Sequence, residues 1–431
     1  MINLNGITRV TFISLLTLCL ATPNVYGEDA APNSGISESA QQWQEFAKEL
    51  GDAGLRIHQI TDESRTPLQQ GEVTQNLLWA LSQAALYFAQ MDPDNPDWLP
   101  FLGSSYLYLN PNPDAVYYLT RIRGSGVYRI SGTRGTVRLV DLQVNKSFIG
   151  FSDHGPTLQN INFADIKIAK DGTYEIIASG TRPAGYQGNW LQLDPTVDDT
   201  FLCVRAIAYD WLHEEDATFT IQRIDKPVHQ EHRTAEEINN RVRQIPGYVY
   251  KQALAMTRIL EAQRVKKREA NRLQDVSQFF DNQPTNKNQV YYSGDIRLEP
   301  DEALILETGI PKKCPYWSMQ LMDRFYNSVD YMYHQTSLNG HTARVDPDGK
   351  ARVVISHRDP GVANWLDLSG YEENIFMGRW YKCGSEIPTA RKVAVADVGK
   401  YLYSGTPMVS PEQRQEMMRQ RIKGAQHRRR W

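Results

Sequence analysis

The stretch DGKARVVISHRDPGVANWL, residues 348–366, contains a turn, a β-branched run, a proline-bearing loop and a tryptophan. A related order of residues occurs earlier in the chain. Asp171-Gly172 precedes Ser179, Pro183, Asn189-Trp190-Leu191 and Arg205, and Asp348-Gly349 precedes Ser356, Pro360, Asn364-Trp365-Leu366 and Arg379. Because the successive spacings agree within two residues, the chain is predicted to contain two copies of one structural unit. Chance recurrence of common turn residues is the alternative.

The sequence around each copy has the pattern typical of a β-sandwich. Short β-branched and aromatic runs, separated by glycine-rich turns, occupy residues 114–223 and return at residues 290–381. Apolar residues at helical spacing come before the first region and again between the two, where Pro246-Gly247 is expected to interrupt the helix. The predicted fold is α+β, with two related antiparallel β-sandwich (jelly-roll-like) units, an N-terminal helical pair and an inserted helical segment.

The first 27 residues are predicted to be a secretory signal peptide. Arg9 precedes a short apolar run, and Val25 and Gly27 are small enough for a cleavage site. The run is shorter than the roughly 20 residues that span a bilayer, so an anchoring helix is the weaker alternative. The expected divisions are signal peptide 1–27, flexible leader and helical prelude 28–100, first sandwich 101–230, helical connector 231–285, second sandwich 286–385, and an extension with a basic helix 386–431. The protein is therefore expected in the periplasm or outside the cell, with no transmembrane span after cleavage.

Charge composition argues against a nucleic-acid partner. Lys plus Arg number 47 and Asp plus Glu number 50, which gives a net charge of −3 and no global attraction to phosphate backbones. The tail, residues 411–431, is locally basic. It predicts either attraction to anionic lipid headgroups or, as the preferred alternative, a surface helix with a solvated charged face.

Three cysteines remain after the predicted cleavage, and an oxidising compartment would allow one disulfide. Cys314 precedes one predicted strand and Cys383 follows another, so the two would meet if those strands are antiparallel neighbours. Cys203 lies inside an apolar run and is expected to be a small buried hydrophobe.

The triplet His357-Arg358-Asp359 is the part of the repeat in which the two copies differ most. In an enzyme, His357 would act as general base, Asp359 would orient it, and Arg358 would stabilise developing negative charge. The competing interpretation is that Asp359, Pro360 and Gly361 form a structural turn. Shared residues such as Asn364 and Trp365 are expected to be scaffold.

A binding surface is the second kind of candidate site. Tyr331, Tyr333, His334 and Asn339 could hold a polar ligand beside the triplet, with rings that stack and side chains that donate hydrogen bonds. Aromatic rings crowd the second sandwich, namely Tyr326, Tyr331, Tyr333, Tyr371 and Trp380, and they indicate either a sugar-binding platform or ordinary core packing.

The spacing of the histidines indicates whether the chain could hold a metal ion. His334, His341 and His357 could converge with Asp323 or Asp330, but no metal-binding spacing is present, so no metal or cofactor is expected.

Three motifs carry a family resemblance: YWSMQL at 316–321, TSLN at 336–339 and HRDPGVANWLD at 357–367. They closely resemble the C-terminal domain called domain of unknown function 1214. The likeness is dense from Tyr291 to Cys383 and extends loosely back to about Gln41 through Asn112-Pro113-Asp114 and YRISG at 128–132. It implies a bacterial exported protein with a sandwich fold, and it brings no catalytic residues.

These observations together predict an exported cell-envelope protein that binds a glycan or other polar organic ligand. The alternatives are a hydrolase or lyase that uses the His357–Asp359 pair, and a structural component of the envelope.

Overall fold

The computed structural model of the protein describes residues 37–61, 66–151, 157–265, 269–278, 289–384 and 386–428. The predicted signal peptide, residues 1–27, lies outside these described residues. Within them, the chain forms a helical pair, a β-sandwich, a connecting helix, a second β-sandwich and a C-terminal helix. No helix in these ranges is both long and apolar enough to cross a membrane.

Two helices precede the first sandwich, as the sequence predicts. Helix α1 is Glu38–Ile60 and helix α2 is Pro67–Gln90. Thr66 caps α2 in a reciprocal capping box with Gln69, which satisfies backbone N–H groups that have no partner inside the helix. Helix α3, Ala235–Val265, connects the sandwiches and contacts both α1 and α2. The three helices form one layer.

The predicted interruption at Pro246-Gly247 is wrong, because α3 continues through both residues. Proline inside a helix costs about 3 kcal/mol, since it removes a hydrogen bond and crowds the preceding turn. Ile245, Tyr248 and Val249 are buried against α2 beside it. Each fully buried apolar side chain contributes roughly 1.5–3 kcal/mol, so packing offsets the proline.

The first sandwich consists of two sheets with the strand orders β1-β2-β8-β4-β5 and β7-β6-β3-β9. All its pairs are antiparallel except β6 with β7, which is parallel. Its strands are β1 Leu99–Pro100, β2 Ala115–Ile122, β3 Tyr128–Thr133, β4 Leu139–Asn145, β5 Thr157–Asn162, β6 Thr173–Ser179, β7 Asn189–Gln192, β8 Thr200–Ile207 and β9 Thr220–Arg223.

The second sandwich repeats that topology strand for strand, with the orders β10-β11-β17-β13-β14 and β16-β15-β12-β18. Its one parallel pair, β15 with β16, is the counterpart of β6 with β7. The strands are β10 Gln274–Asp275, β11 Gln289–Arg297, β12 Glu302–Gly309, β13 Tyr316–Met322, β14 Ser337–Asn339, β15 Lys350–Ser356, β16 Trp365–Asp367, β17 Glu373–Tyr381 and β18 Thr389–Ala394. The predicted fold of two related sandwich units is confirmed. Strand β18 lies beyond the predicted boundary at residue 385.

The repeated asparagines make the same hydrogen bonds in both units. Asn364 accepts from the Arg344 amide at 2.7 Å and donates to the carbonyl oxygens of Arg344 and Arg352 at 2.7 and 3.0 Å. Asn189 accepts from Lys167 and donates to Lys167 and Glu175 in the same pattern. Each asparagine therefore ties a loop to the neighbouring strand.

The repeated tryptophans are also held alike. Trp190 Nε1 donates to Ser179 Oγ and Trp365 Nε1 donates to Ser356 Oγ, each at 3.0 Å. Trp365 is buried, whereas Trp190 is partly exposed. The residues common to both copies thus make scaffold contacts.

The five-stranded sheets of the two units face each other. On β8, Leu202 and Val204 point into the first sandwich, and Phe201 and Cys203 point to the opposite face. That outer face packs against α2 and α3 and against Tyr316 and Tyr381 of the second sandwich. One cluster of buried side chains therefore joins the helices to the facing sheets of both units.

The repeated arginines bind polar side chains on these facing sheets. Arg205 donates to Asp141 at 3.2 Å and to Gln143 at 2.8 Å. Arg379 donates to Gln320 at 2.6 Å and to the side chain of Asn110 at 2.5 Å. Buried charge between the units is thus accompanied by polar partners, as low-polarity surroundings require.

Strands β13 and β17 are antiparallel neighbours, with Tyr316 opposite Tyr381. Cys314 and Cys383 are disulfide-bonded at their ends, with a Cα–Cα distance of 5.1 Å. Cys203 is buried, and this burial raises the pKa of its thiol to about 11. The structure thus places one disulfide in the second unit and one protonated cysteine in the core.

Candidate functional site

The triplet His357-Arg358-Asp359 does not form the expected catalytic pair. His357 Nε2 donates to the carbonyl oxygen of Leu298 at 3.0 Å. The Asp359 carboxylate accepts from Arg414 at 2.8 and 3.2 Å and from the Gly361 amide at 2.8 Å. Gly361 has φ +73°, as the turn Asp359-Pro360-Gly361 requires. The imidazole and the carboxylate therefore have separate structural partners.

The backbone explains this separation. Strand β15 ends at Ser356, so His357 and Asp359 no longer alternate on a strand and do not share a face. Arg358 is exposed, and its carbonyl oxygen accepts from Ser356 Oγ at 2.7 Å.

The four predicted ligand contacts are dispersed. Tyr331 is buried, Tyr333 is 59% exposed, and His334 Nδ1 lies 2.8 Å from an Asp367 carboxylate oxygen. Asn339 lines a cavity described below, although its amide is committed to protein partners. Of this set, Asn339 therefore lines that cavity and the other three do not.

The rings that predicted a sugar platform belong mainly to the core. Tyr326, Tyr331 and Trp380 are at most 5% exposed, so they present no stacking face to a ligand. The considered metal ligands also separate, because Asp323 and Asp330 accept backbone N–H groups of their own turns. Within the described ranges, no group of three or more His, Cys, Asp or Glu side chains is placed to hold a metal ion.

A cleft of about 580 Å³ lies where three parts of the chain meet. The first sandwich contributes Asp114 and residues 209–212, the second contributes parts of 335–344 with Ala363, and the C-terminal segment contributes parts of 407–421. This volume is in the range of known small-molecule sites. We call this cavity the inter-unit cleft.

Asp114 links the two sandwiches at the wall of the inter-unit cleft. Its buried carboxylate accepts from Trp211 Nε1 at 2.9 Å, from Asn339 Nδ2 at 2.7 Å and from the Tyr316 hydroxyl at 2.7 Å. Burial raises the pKa of Asp114, and these three donors and Arg428 counteract the rise only in part. Trp211 belongs to the first unit and the other two donors to the second, so one carboxylate fixes their relative position.

Three motifs that were separate in the sequence converge on Asp114. The Asn112-Pro113-Asp114 motif supplies the carboxylate, and Asn112 Nδ2 also donates to the Tyr316 hydroxyl at 2.7 Å. Tyr316 begins YWSMQL, and Asn339 ends TSLN. Asp114 and Asn339, from two of these motifs, therefore line the inter-unit cleft, and Tyr316, from the third, binds Asp114.

Two imidazoles flank Asp210 at the cleft. His213 Nδ1 lies 2.8 Å and His341 Nε2 lies 3.6 Å from Asp210 Oδ2. Burial acts to raise the pKa of Asp210, but hydrogen bonds from His213 and the Leu212 amide outweigh it and hold the pKa below its ordinary value. The carboxylate is thus ionised and already paired.

The C-terminal helix α4, Pro411–His427, closes one side of the cleft. Arg414 binds Asp359 of the second unit, and Arg428 binds Asp216 of the first at 2.7 Å. Gly424 allows close contact, because a Cβ there would stand 2.8 Å from Trp211 Cβ. The prediction of a helix with a solvated charged face is therefore wrong for these inward arginines, whose carboxylate partners lie far away in sequence.

Arg421 of the same helix lines the cleft. Its Nε donates to the Tyr331 carbonyl oxygen, Nη1 to the Ser337 carbonyl oxygen at 3.2 Å, and Nη2 to Ser337 Oγ at 2.5 Å. The guanidinium carbon lies 4.8 Å from the Trp211 ring centroid. Burial lowers the pKa of Arg421 to about 10.

Sequence reasoning missed Asp114, Asp210, Trp211 and Arg421 as members of one site. The motif around Asp114 was visible, but nothing in local spacing shows that residues 114, 211, 316 and 339 meet across two units. Only the relative packing of the sandwiches brings them together.

Comparison with known proteins shows that one family model matches a region in each sandwich. The family described as "Protein of unknown function (DUF1214)" matches residues 121–209 and 295–384. A solved structure of an uncharacterised protein from Burkholderia cenocepacia is 27% identical, with 84% of this chain and 98% of that chain covered and a TM-score of 0.74. The VPA0106 protein from Vibrio parahaemolyticus is 12% identical, with 75% and 99% covered and a TM-score of 0.43. No curated protein matches the chain. The chain thus carries two regions that match the DUF1214 family, one in each sandwich.

Proposed function

We propose that the protein binds a small organic ligand, apolar over most of its surface and polar at one end, in the inter-unit cleft. The observation that supports this most directly is the cleft itself, about 580 Å³ in volume and bounded by both sandwiches and α4. Binding sites of this size usually combine apolar walls with a few placed polar groups.

The lining has that composition. Trp211, Leu212, Met408, Val409 and Met417 give apolar surface, and methionine adapts its shape to different ligands. Polar side chains line the cleft as well, among them Ser337 and Arg421, whose orientation is fixed by hydrogen bonds to the protein. A preformed site of this kind needs little reordering to bind.

A glycan is the less favoured occupant. Sugar sites use exposed ring faces, but the rings proposed for this role are largely buried, and Trp211 is only 9% exposed with Arg421 over its ring. The hydrolase or lyase alternative loses its geometric basis, because His357 and Asp359 do not line the cleft and bind other partners.

We also propose that the protein acts outside the cytoplasm, in the periplasm or as a secreted protein. The signal-like sequence at residues 1–27 supports this, as does the disulfide between Cys314 and Cys383, since such bonds persist in oxidising compartments. Cell fractionation, with the mass of the processed chain, tests it. A full-length protein retained in the cytoplasm would contradict it.

Thermal unfolding of the purified protein against a panel of sugars, organic acids, alcohols and amines tests the binding function. A ligand at one hundred times its Kd should add roughly 2.7 kcal/mol of stability. Gln420→Trp should reduce this gain, because Gln420 is an exposed residue of α4 that lines the cleft. Gln426→Trp is the matched control, since Gln426 is exposed on the same helix outside the cleft lining.

Two outcomes would count against the proposal. If every compound left both the wild type and the variants unmoved, the structural-component alternative would replace it. If a compound stabilised wild type and Gln420→Trp equally, its site would lie outside the inter-unit cleft.

A further inference from the structure

We infer that the ligand of the inter-unit cleft is an amphipathic carboxylate whose head group is bound by Arg421, with Arg344 as a second positive charge on the same cleft. This inference rests on the proposed function and names the chemical class of its ligand. It follows from how the charges that line the cleft are paired.

The acids at the cleft are already engaged. Asp114 is buried and accepts three hydrogen bonds, and Asp210 lies against His213 and His341. Glu416 pairs with Arg419 at 2.8 Å and accepts from Gln420 at 2.6 Å. These carboxylates therefore have little capacity left to attract a cationic ligand.

The arginines at the cleft, by contrast, have no contacting counter-ion among the described residues. The acceptors of Arg421 are two backbone carbonyl oxygens and one hydroxyl, all neutral. Arg344 is exposed, and no carboxylate of the described residues forms an ion pair with either guanidinium. Asp114 and Asp330 act on Arg421 only at longer range, without contact. A cation desolvated without a contacting counter-ion favours the arrival of an anion.

Arg421 has hydrogen-bond donors left for an anion. A guanidinium has five N–H donors, and the protein uses three, one on each nitrogen. The two that remain are one on each terminal nitrogen, and either can donate to an anion. The Trp211 ring and the Ser337 contacts hold the guanidinium in place, so this arrangement exists before binding.

The apolar lining sets the other half of the ligand. Met408 and Met417 of the C-terminal segment line the cleft, and Met408 is 66% exposed. An alkyl or aryl body against these side chains would gain roughly 25 cal/mol for each Å² removed from water. The combined site therefore fits a molecule with one anionic end.

Titration calorimetry with four probes of equal chain length tests the inference: octanoate, octyl phosphate, octan-1-ol and octylamine. We expect octanoate to bind about tenfold or more tightly than the alcohol, because a charged hydrogen bond contributes roughly 1.5–3 kcal/mol. Arg421→Gln should remove about that factor for octanoate and leave the alcohol unchanged, and Arg421→Lys should restore part of it. Lys423→Gln, an exposed site on α4 with the same change of charge, is the control.

Arg344→Gln keeps the test decisive if Arg421→Gln fails to fold, because Arg344 is exposed and its hydrogen bonds to Asn364 use only the backbone. It should weaken octanoate severalfold. Equal binding of octanoate and octan-1-ol, or octanoate binding that ignores both arginine substitutions, would overturn the inference while leaving the proposed function intact. Tighter binding of octyl phosphate would overturn the carboxylate assignment. Absence of binding by all four probes and by the wider panel would refute the proposed function itself.

Discussion

Removing the Asp114 carboxylate should destabilise the protein far more than neutralising it. Asp114→Ala leaves the donors of Trp211, Asn339 and Tyr316 without their acceptor in a buried place. Each unsatisfied donor costs roughly 1–3 kcal/mol, and costs within one network do not add fully. We expect a loss of about 4 kcal/mol in the free energy of unfolding, less than the roughly 6 kcal/mol that three fully additive costs of about 2 kcal/mol would give.

Asp114→Asn should cost only about 1 kcal/mol. The amide oxygen can still accept from Trp211 and Asn339, so one donor, the Tyr316 hydroxyl, loses its acceptor instead of three. The substitution also removes a charge that burial disfavours, as the raised pKa of Asp114 indicates.

Equilibrium unfolding in urea, followed by tryptophan fluorescence and far-UV circular dichroism, measures both losses provided that the m-value stays constant. Asp397→Ala serves as a control, because the Asp397 side chain is 44% exposed and forms a surface ion pair with Lys400, so its loss should change stability by less than about 0.5 kcal/mol. A loss below about 1 kcal/mol for Asp114→Ala, or equal losses for Ala and Asn, would refute the hydrogen-bond reasoning.

Three further predictions concern stability. Burial raises the pKa of Asp323 to about 6, so the folded protein binds this proton more tightly than the unfolded chain does. The stability of wild type relative to Asp323→Asn should therefore fall by about 2 kcal/mol from pH 4 to pH 7, because the unfolded carboxyl is already partly ionised at pH 4, and a flat difference would contradict this. Replacing Cys314 and Cys383 by serine should cost about 4 kcal/mol, from the entropy of the 69-residue separation, as measured by urea unfolding. Asn364→Ala should cost about 3 kcal/mol and Asn189→Ala about 1 kcal/mol, because only Asn364 is buried; equal losses would show that burial does not matter here.

The fold was largely predictable from the sequence because its signals are local and repeated. Asn-Trp-Leu recurs with similar flanking turns, and the structure repeats strand order around it. The path of α3 through Pro246 was not predictable, because tertiary packing of Tyr248 and its neighbours overrides the local preference of proline.

The candidate site was less predictable than the fold, for a geometric reason. The rule that residues unique to one copy are functional selected His357 and Asp359, yet Asp359 is unique because it binds Arg414 of the C-terminal helix. Asp114 and Arg421 lie 307 positions apart in the chain (421 minus 114), and both line the inter-unit cleft. Composition and spacing do not show which residues far apart in the sequence lie close together in the fold.

Helix α4 follows both sandwiches in the chain, and this order has a consequence for synthesis. Either sandwich can leave the ribosome and begin to fold before residues 411–428 are made. Asp359 and Asp216 form their ion pairs with Arg414 and Arg428 only after these later residues have been made. The inter-unit cleft consequently acquires its third wall only after both sandwiches have been made, so a partly made chain cannot hold ligand against all three walls.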